Sequence, residues 1–329
     1  MRDSISGIDV HVHYVPDFYR KALEAAGEDT TDGVPVPAWT PQAHLDTMDR
    51  MNTAVSMLTI SSPGLHFGDD EAARQLTRRC NEYGAALVRD FPKRFGLLAA
   101  VPLPDIDGTL AEIDYAYDTL HADGLKLATH SRGLYLGDAR LDPVFAELNR
   151  RKAVVVLHPQ KPAAVPENVL EGYPIPMMEF LVDTTRAVVN MIMNRTLERY
   201  PDIKMVLPHA GAFLSVLPDR LTGRKKWFAP AGQQGEAPNI HEALRHMYYD
   251  MAGYPVPGQL YALLQLMGPD RLLYGSDWPH TPEAKATGLK QKLLTTNLLT
   301  DEQRRAVFYD NALGLFPRLA QTLASGARA

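Results

Sequence analysis

Apolar and polar positions along this chain fall into two kinds of block, short apolar runs and longer segments with helical spacing, which succeed one another from end to end. The short runs are GIDVHVH (7–13), AVSMLTI (54–60), FGLLAAV (95–101), GLKLA (124–128), AVVVLH (153–158), IKMVLP (203–208), MYYDMA (247–252) and RLLYGS (271–276). They are rich in β-branched and large apolar residues and lack strict alternation, as strands buried on both faces of a parallel sheet do. Between them lie helical patterns such as DEAARQLTRRCNEYGAALVRDFP, LDPVFAELNRR, VDTTRAVVNMIMNRTLERYP and VPGQLYALLQLMG. Asp69 and Asp107 stand where N-caps belong, and Pro92, Pro201 and Pro269 follow helical segments as stops. Eight strands alternating with helices predict an α/β fold, a single (β/α)8 TIM-type barrel spanning residues 1–329. An open doubly wound sheet is the lesser reading, because no Gly-rich phosphate turn follows the first strand. Two irregular stretches, about 28–41 and 222–239, read as loops inserted at the C-terminal face, where barrel enzymes place their sites.

Composition narrows the partners. With 45% hydrophobic and 22% charged residues the chain is ordinary globular protein, and a net charge of −5 proposes neither nucleic acid nor an anionic membrane. A single cysteine, Cys80, excludes an intrachain disulfide and a Cys-rich zinc site. No run of about 18 apolar residues is present. The opening MRDSISG lacks a basic stretch leading into an apolar one, so a cytoplasmic protein is expected.

The candidate chemistry sits at the strand ends. His11 and His13 are two apart at the end of the first strand, so their side chains share a face. His158 ends the fifth strand, His209 follows the sixth and Asp277 follows the eighth. Four histidines and one carboxylate on one face of a barrel form a site for a divalent metal. Imidazole and carboxylate suit zinc, and also manganese or iron.

The stretches DVHVH, LHPQ, DTTRAVVNMIMNRTLERYPDIKMVLPHAGAF and YGSDWP resemble the amidohydrolase superfamily. The branch is the one that contains aminocarboxymuconate semialdehyde decarboxylase and the ortho-hydroxybenzoate decarboxylases. Within it, SSPGLHFGD (61–69) and YYDMAG (248–253) are most similar to the 6-methylsalicylate decarboxylase type. The resemblance implies four metal ligands, His11, His13, His158 and Asp277, around one divalent ion, zinc or alternatively manganese. It makes His209 and Asp277 the catalytic pair and places Arg220 against the substrate carboxylate, often in a neighbouring subunit. It also implies a homodimer or homotetramer. His66, Phe180 and His280 are further candidate substrate contacts, with His44 and His130 as weaker ones. Phe67, Trp39, Met177 and Met178 add apolar loop surface suited to a flat ring. Lys126 stands in the fourth strand, where dinuclear relatives carry a carbamylated bridging lysine; a substrate-anion contact and a structural ion pair are its other readings. Two departures from the pattern are Ala210 and Ala212, where relatives often have glycine.

The implied reaction is non-oxidative decarboxylation of an aromatic 2-hydroxy acid. The metal would chelate carboxylate and phenolate while a proton is delivered to the ring carbon. The alternative is hydrolysis of a lactone or amide by metal-activated water, which needs the same residues.

Overall fold

The computed structural model describes residues 5–28, 30–224 and 238–325. Most of the 222–239 stretch therefore lies outside the described residues. Eight parallel strands form one sheet in chain order: β1 (Gly7–His13), β2 (Thr53–Thr59), β3 (Phe95–Ala99), β4 (Gly124–Ala128), β5 (Val154–His158), β6 (Lys204–Leu207), β7 (Tyr248–Asp250) and β8 (Leu272–Leu273). The sheet closes on itself. Val10 N–H donates to Tyr274 O at 3.0 Å, Asp277 N–H to His11 O at 2.8 Å and His13 N–H to Trp278 O at 2.8 Å. With helices between successive strands, this is a (β/α)8 barrel.

Its interior is filled by Ile8, Val10, Val55, Met57, Val154, Val156, Val206 and Leu273, joined by Leu315, Phe316 and Leu319 from the C-terminal helical segments. The larger cluster outside it packs the alternate strand residues, such as Leu125, Leu127, Val155 and Met205, against the helices. The pairing of β1 with β2 slips between Asp9↔Ser56 and Val12↔Leu58, so β1 carries one extra residue there. A bulge of this kind re-aims the side chains beyond it. Ile8 and Val10 face inward below the bulge, and His13, opposite Thr59, faces inward above it. The Asp9 carboxylate holds the bulge by accepting from His11 N–H at 3.2 Å and Ser276 N–H at 3.1 Å.

Two local expectations change. The helix Asp70–Asp90 is capped by Asp69, whose carboxylate accepts from Ala72 N–H at 2.7 Å, as its sequence suggests. In the helix Ile106–Asp118, however, the cap is Asp105 and not Asp107. Asp105 is extended and accepts from Gly108 N–H at 3.0 Å, whereas Asp107 already lies in the first turn. The run from 182 to 201 is not one helix. Glu179–Met193 ends before Arg195, which turns left-handed at φ 57°, and a single turn Thr196–Arg199 follows.

His44, weighed above as a substrate contact, is a buried packing residue. It accepts from Trp39 Nε1–H at 3.1 Å and lies 4.6 Å from the Trp278 ring, between the helix Pro41–Arg50 and the barrel wall. Trp39 joins the same aromatic cluster with Tyr14 and Tyr83. Burial pushes the His44 imidazole from 6.5 down to about 3, so it is neutral when folded. The unfolded chain takes up a proton as pH falls below 6.5 while the folded chain does not, so stability is full above 6.5 and declines towards 3. Urea unfolding at pH 7 and pH 5 is expected to show a loss of about 2 kcal/mol from this residue. His44→Gln should remove that part of the pH dependence; an unchanged slope would count against it.

Candidate metal centre and adjoining cavity

The bulged end of β1, the end of β5 and the turn after β8 bring His11, His13, His158 and Asp277 together. One ligand atom from each lies within 4.8 Å of the others. The ring centroids of His11, His13 and His158 are 4.8–5.3 Å apart. Asp277 Oδ1 lies 3.2 Å from His13 Nε2 and 3.5 Å from His11 Nε2. Asp277 holds this position in a left-handed turn, φ 59°, with its N–H bonded to His11 O.

Each imidazole is oriented by a partner on its far nitrogen. His11 Nδ1–H donates to the buried Asp250 carboxylate at 2.8 Å. The Thr59 hydroxyl donates to Val12 O at 2.8 Å, so it accepts from His13 Nδ1–H at 2.7 Å. His158 Nδ1–H donates to Pro159 O at 2.6 Å. All three bonds place the proton on Nδ1 and leave the Nε2 lone pair facing the centre, an arrangement typical of metal-bound histidine. His11 Nε2 and His13 Nε2 are buried and have no hydrogen-bond partner. Unpaired buried polar atoms are costly, and a divalent cation satisfies both at once. The donor set thus fits a metal ion.

By charge, His13 and His158 are neutral donors, whereas His11 lies where the two aspartates favour a positive charge, a proton or the cation that would displace it. Burial opposes a proton on His11, but Asp250 and Asp277 outweigh it and hold that imidazole above its ordinary range. Burial pushes His13 down to about 3, and burial with the neighbouring imidazoles pushes His158 well below 6.5. Burial works against ionisation of Asp277, yet the imidazoles of His11, His13 and His209 gathered around it hold its carboxyl well below the usual range.

His209 stands beside the four. Its ring is 5.0 Å from that of His11, and its Nε2 lies 3.9 Å from Asp277 Oδ2. His209, Ala210 and Ala212 all have positive φ, 53–54°. Glycine would suit the last two positions, and alanine accepts strain there. The turn is pinned by Gln259 Nε2–H, shared between His209 O at 3.1 Å and Ala212 O at 3.0 Å. His209 N–H donates to Asp250 Oδ1 at 3.0 Å, so one aspartate positions both His11 and His209.

The other candidates scatter. Phe180 is buried with its ring 5.9 Å from His158, edge to face. His280 lies 5.3 Å from His13 and 3.4 Å from the Thr31 hydroxyl. His66 pairs with Asp70 at 2.8 Å and lines a cavity of about 240 Å³ over the ends of β2 to β5. His130 and Lys126 line the same cavity, as do Glu28 and Asp32 from the 28–41 loop. Met177 is largely exposed, as is Arg220, which lies on the short helix Pro218–Arg224. Among the described residues Arg220 makes no hydrogen bond or ion pair.

The sequence reading missed Asp250 and Thr59. Both end barrel strands on the face that carries the histidines, and an acidic residue closing MYYDMA was the available signal for Asp250.

Fold and site together define a (β/α)8 barrel of the metal-dependent class, with its donor cluster at the C-terminal face. The chain belongs to the amidohydrolase family, whose sequence model matches residues 8–318. It is 35% identical over 316 residues to the 6-methylsalicylic acid decarboxylase of Penicillium expansum, covering 95% of this chain and 96% of that protein. A solved structure of an amidohydrolase II superposes with a TM-score of 0.90 at 39% identity, covering 95% of this chain and 100% of that one. The fold is also that of a dihydroxybenzoic acid decarboxylase from Polaromonas, solved with manganese and 2-nitroresorcinol. There the TM-score is 0.78 at 21% identity, covering 95% and 97% of the two chains. No helix among the described residues is long and apolar enough to cross a membrane.

Proposed function

We propose that this chain is a metal-dependent, non-oxidative decarboxylase of an aromatic 2-hydroxy acid of the 6-methylsalicylate type. The observation that carries the proposal is the donor cluster of His11, His13, His158 and Asp277, with three imidazole lone pairs turned to one point. Its occurrence in a chain similar over nearly its full length to a 6-methylsalicylic acid decarboxylase supports the substrate class.

His11, His13, His158 and Asp277 would hold one divalent ion, zinc or alternatively manganese. When bound, it supplies Lewis acidity and an anchor for the oxygens of the acid. The remaining work falls to the chain. Phe180 and His280 flank the donor cluster, and His66 lines the adjoining cavity that would take the planar ring. The His209–Asp277 pair carries the proton that is added to the ring carbon bearing the carboxylate. The bond from that carbon to the carboxylate then breaks, its electron pair returns to the ring and carbon dioxide leaves. Aromaticity is restored with no change of oxidation state at the enzyme. In a homodimer or homotetramer, Arg220 would reach a neighbouring site, consistent with its exposed place on its own chain.

The test is direct. Metal-replete protein is incubated with salicylate, 6-methylsalicylate, 2,6-dihydroxybenzoate and 5-carboxyvanillate while ultraviolet absorbance and released carbon dioxide are followed. The expected result is release from at least one acid, lost on chelation and restored by Zn²⁺ or Mn²⁺, whichever is native. Protein that holds metal but releases nothing across the panel would overturn the lyase reading in favour of lactone or amide hydrolysis.

A further inference from the structure

The cavity of about 240 Å³ over the ends of β2 to β5 is lined by three cations, the exposed Arg132 and Lys161 and the buried Lys126, which the metal centre does not account for. Lys126 projects from β4 into the barrel, while its neighbours Leu125 and Leu127 face the helices. It is 5% exposed. Among the described residues its ammonium makes no hydrogen bond and no ion pair within 4.0 Å. Contrast Lys290, the other buried lysine among the described residues, which donates to Met51 O at 2.5 Å and Asn52 O at 2.9 Å. The side chain is buried along its stem while its ammonium opens onto the cavity with no acceptor among the described residues, which leaves it available to an anionic ligand there.

The surroundings say which ligand. Ile60, Leu65 and Ala100 form an apolar wall of the same cavity, suited to one face of a ring. β4 pairs with β5 so that Lys126 is level with Val156 and Ala128 with His158, which puts the cavity next to the metal-facing histidines. Asp32 reaches the cavity from the 28–41 loop and favours the charged amine from beyond ion-pair distance. Burial lowers the ammonium to about 8, which still leaves it mostly protonated at neutral pH. An aromatic 2-hydroxy acid at that pH carries its charge on the carboxylate, because the phenol is un-ionised.

Resting on the decarboxylase reading above, we propose that Lys126 forms an anion subsite that takes the substrate carboxylate. It would hold one carboxylate oxygen while the ring lies along Ile60, Leu65 and Ala100. Lys126 is then a determinant of acid recognition within this cavity, not a structural ion-pair partner and not a bridging metal ligand.

The experiment is titration calorimetry of metal-loaded wild type and Lys126→Met with two probes, salicylate and its neutral isostere 2-hydroxybenzamide. Lys126→Gln serves as a second variant, and metal content is measured for all. Loss of a charged hydrogen bond in a buried site predicts that salicylate binds roughly 10- to 100-fold more weakly to both variants. The amide should bind each within about twofold of wild type. Equal weakening of both probes overturns the carboxylate assignment, as does unchanged salicylate binding. A wild-type stoichiometry of two metals that falls to one in Lys126→Met overturns it in favour of a bridging lysine. If wild type binds salicylate through Lys126 but releases no carbon dioxide from the acid panel, the decarboxylase reading fails and the subsite stands. If wild type binds none of the panel acids, both fail.

Discussion

Replacing His209 by asparagine is expected to lower kcat for decarboxylation by roughly 10²- to 10⁴-fold, the usual worth of a positioned acid or base. Bound metal should stay at the wild-type level. The substitution is chosen for the backbone. His209 sits at φ 53°, and asparagine tolerates the left-handed region better than other non-glycine residues. The N–H bond to Asp250 and the carbonyl bond from Gln259 need no side chain, so the turn should survive. What disappears is the imidazole whose Nε2 stands 3.9 Å from Asp277 Oδ2. Since His209 lies outside the group of four donors, metal analysis separates loss of proton transfer from loss of the ion. The effect should fall on kcat more than on KM, because the proton moves only in the chemical step. A variant with near-wild-type turnover would remove His209 from the mechanism.

His158→Ala should have a larger consequence. The ring lies between His13, His11 and Phe180, and its Nδ1 is committed to Pro159 O. Deleting it removes one of four donors and leaves the two orphaned Nε2 atoms of His11 and His13 with a three-point site. A metal contributes several kcal/mol of transition-state stabilisation, which at about 1.4 kcal/mol per decade is roughly a 10³-fold loss or more. Activity alone would not distinguish this from misfolding, so the second readout is thermal. Metal that binds only the folded chain raises stability by about 2.7 kcal/mol at a hundredfold excess over Kd. Wild type should therefore show a metal-dependent rise in Tm, and His158→Ala should show little or none while unfolding cooperatively. Full metal occupancy in the variant would exclude His158 from the donor set.

The legible part of this fold was the part written in local pattern. Apolar runs without alternation mark doubly buried strands, and eight of them separated by helical periods leave few architectures besides a closed barrel. Local pattern failed where two local signals competed. Asp105 and Asp107 are both plausible caps, and the extended backbone at Asp105 decided between them. Helical spacing continues past Met193, yet the turn at Arg195 interrupts it. His44 and Trp39 have the composition of a ligand pocket, but they pack against each other between a helix and the barrel.

The strand-end positions of His11, His13, His158, His209 and Asp277 were set by the sequence itself, because residue type and distance from an apolar run suffice to place a side chain at a strand terminus. Which way those side chains point was decided only by the tertiary structure. The i, i+2 spacing puts His11 and His13 on one face without saying which; the extra residue in β1, held by Asp9 across to Ser276, turns them to the interior. The same holds for the Asp250 bonds to His11 and His209, for the Thr59 contact that sets the His13 proton, and for the isolation of Lys126. Each depends on strands far apart in the chain meeting in register around a closed barrel. No local pattern encodes that closure, because it arises from the joint packing of all eight strands.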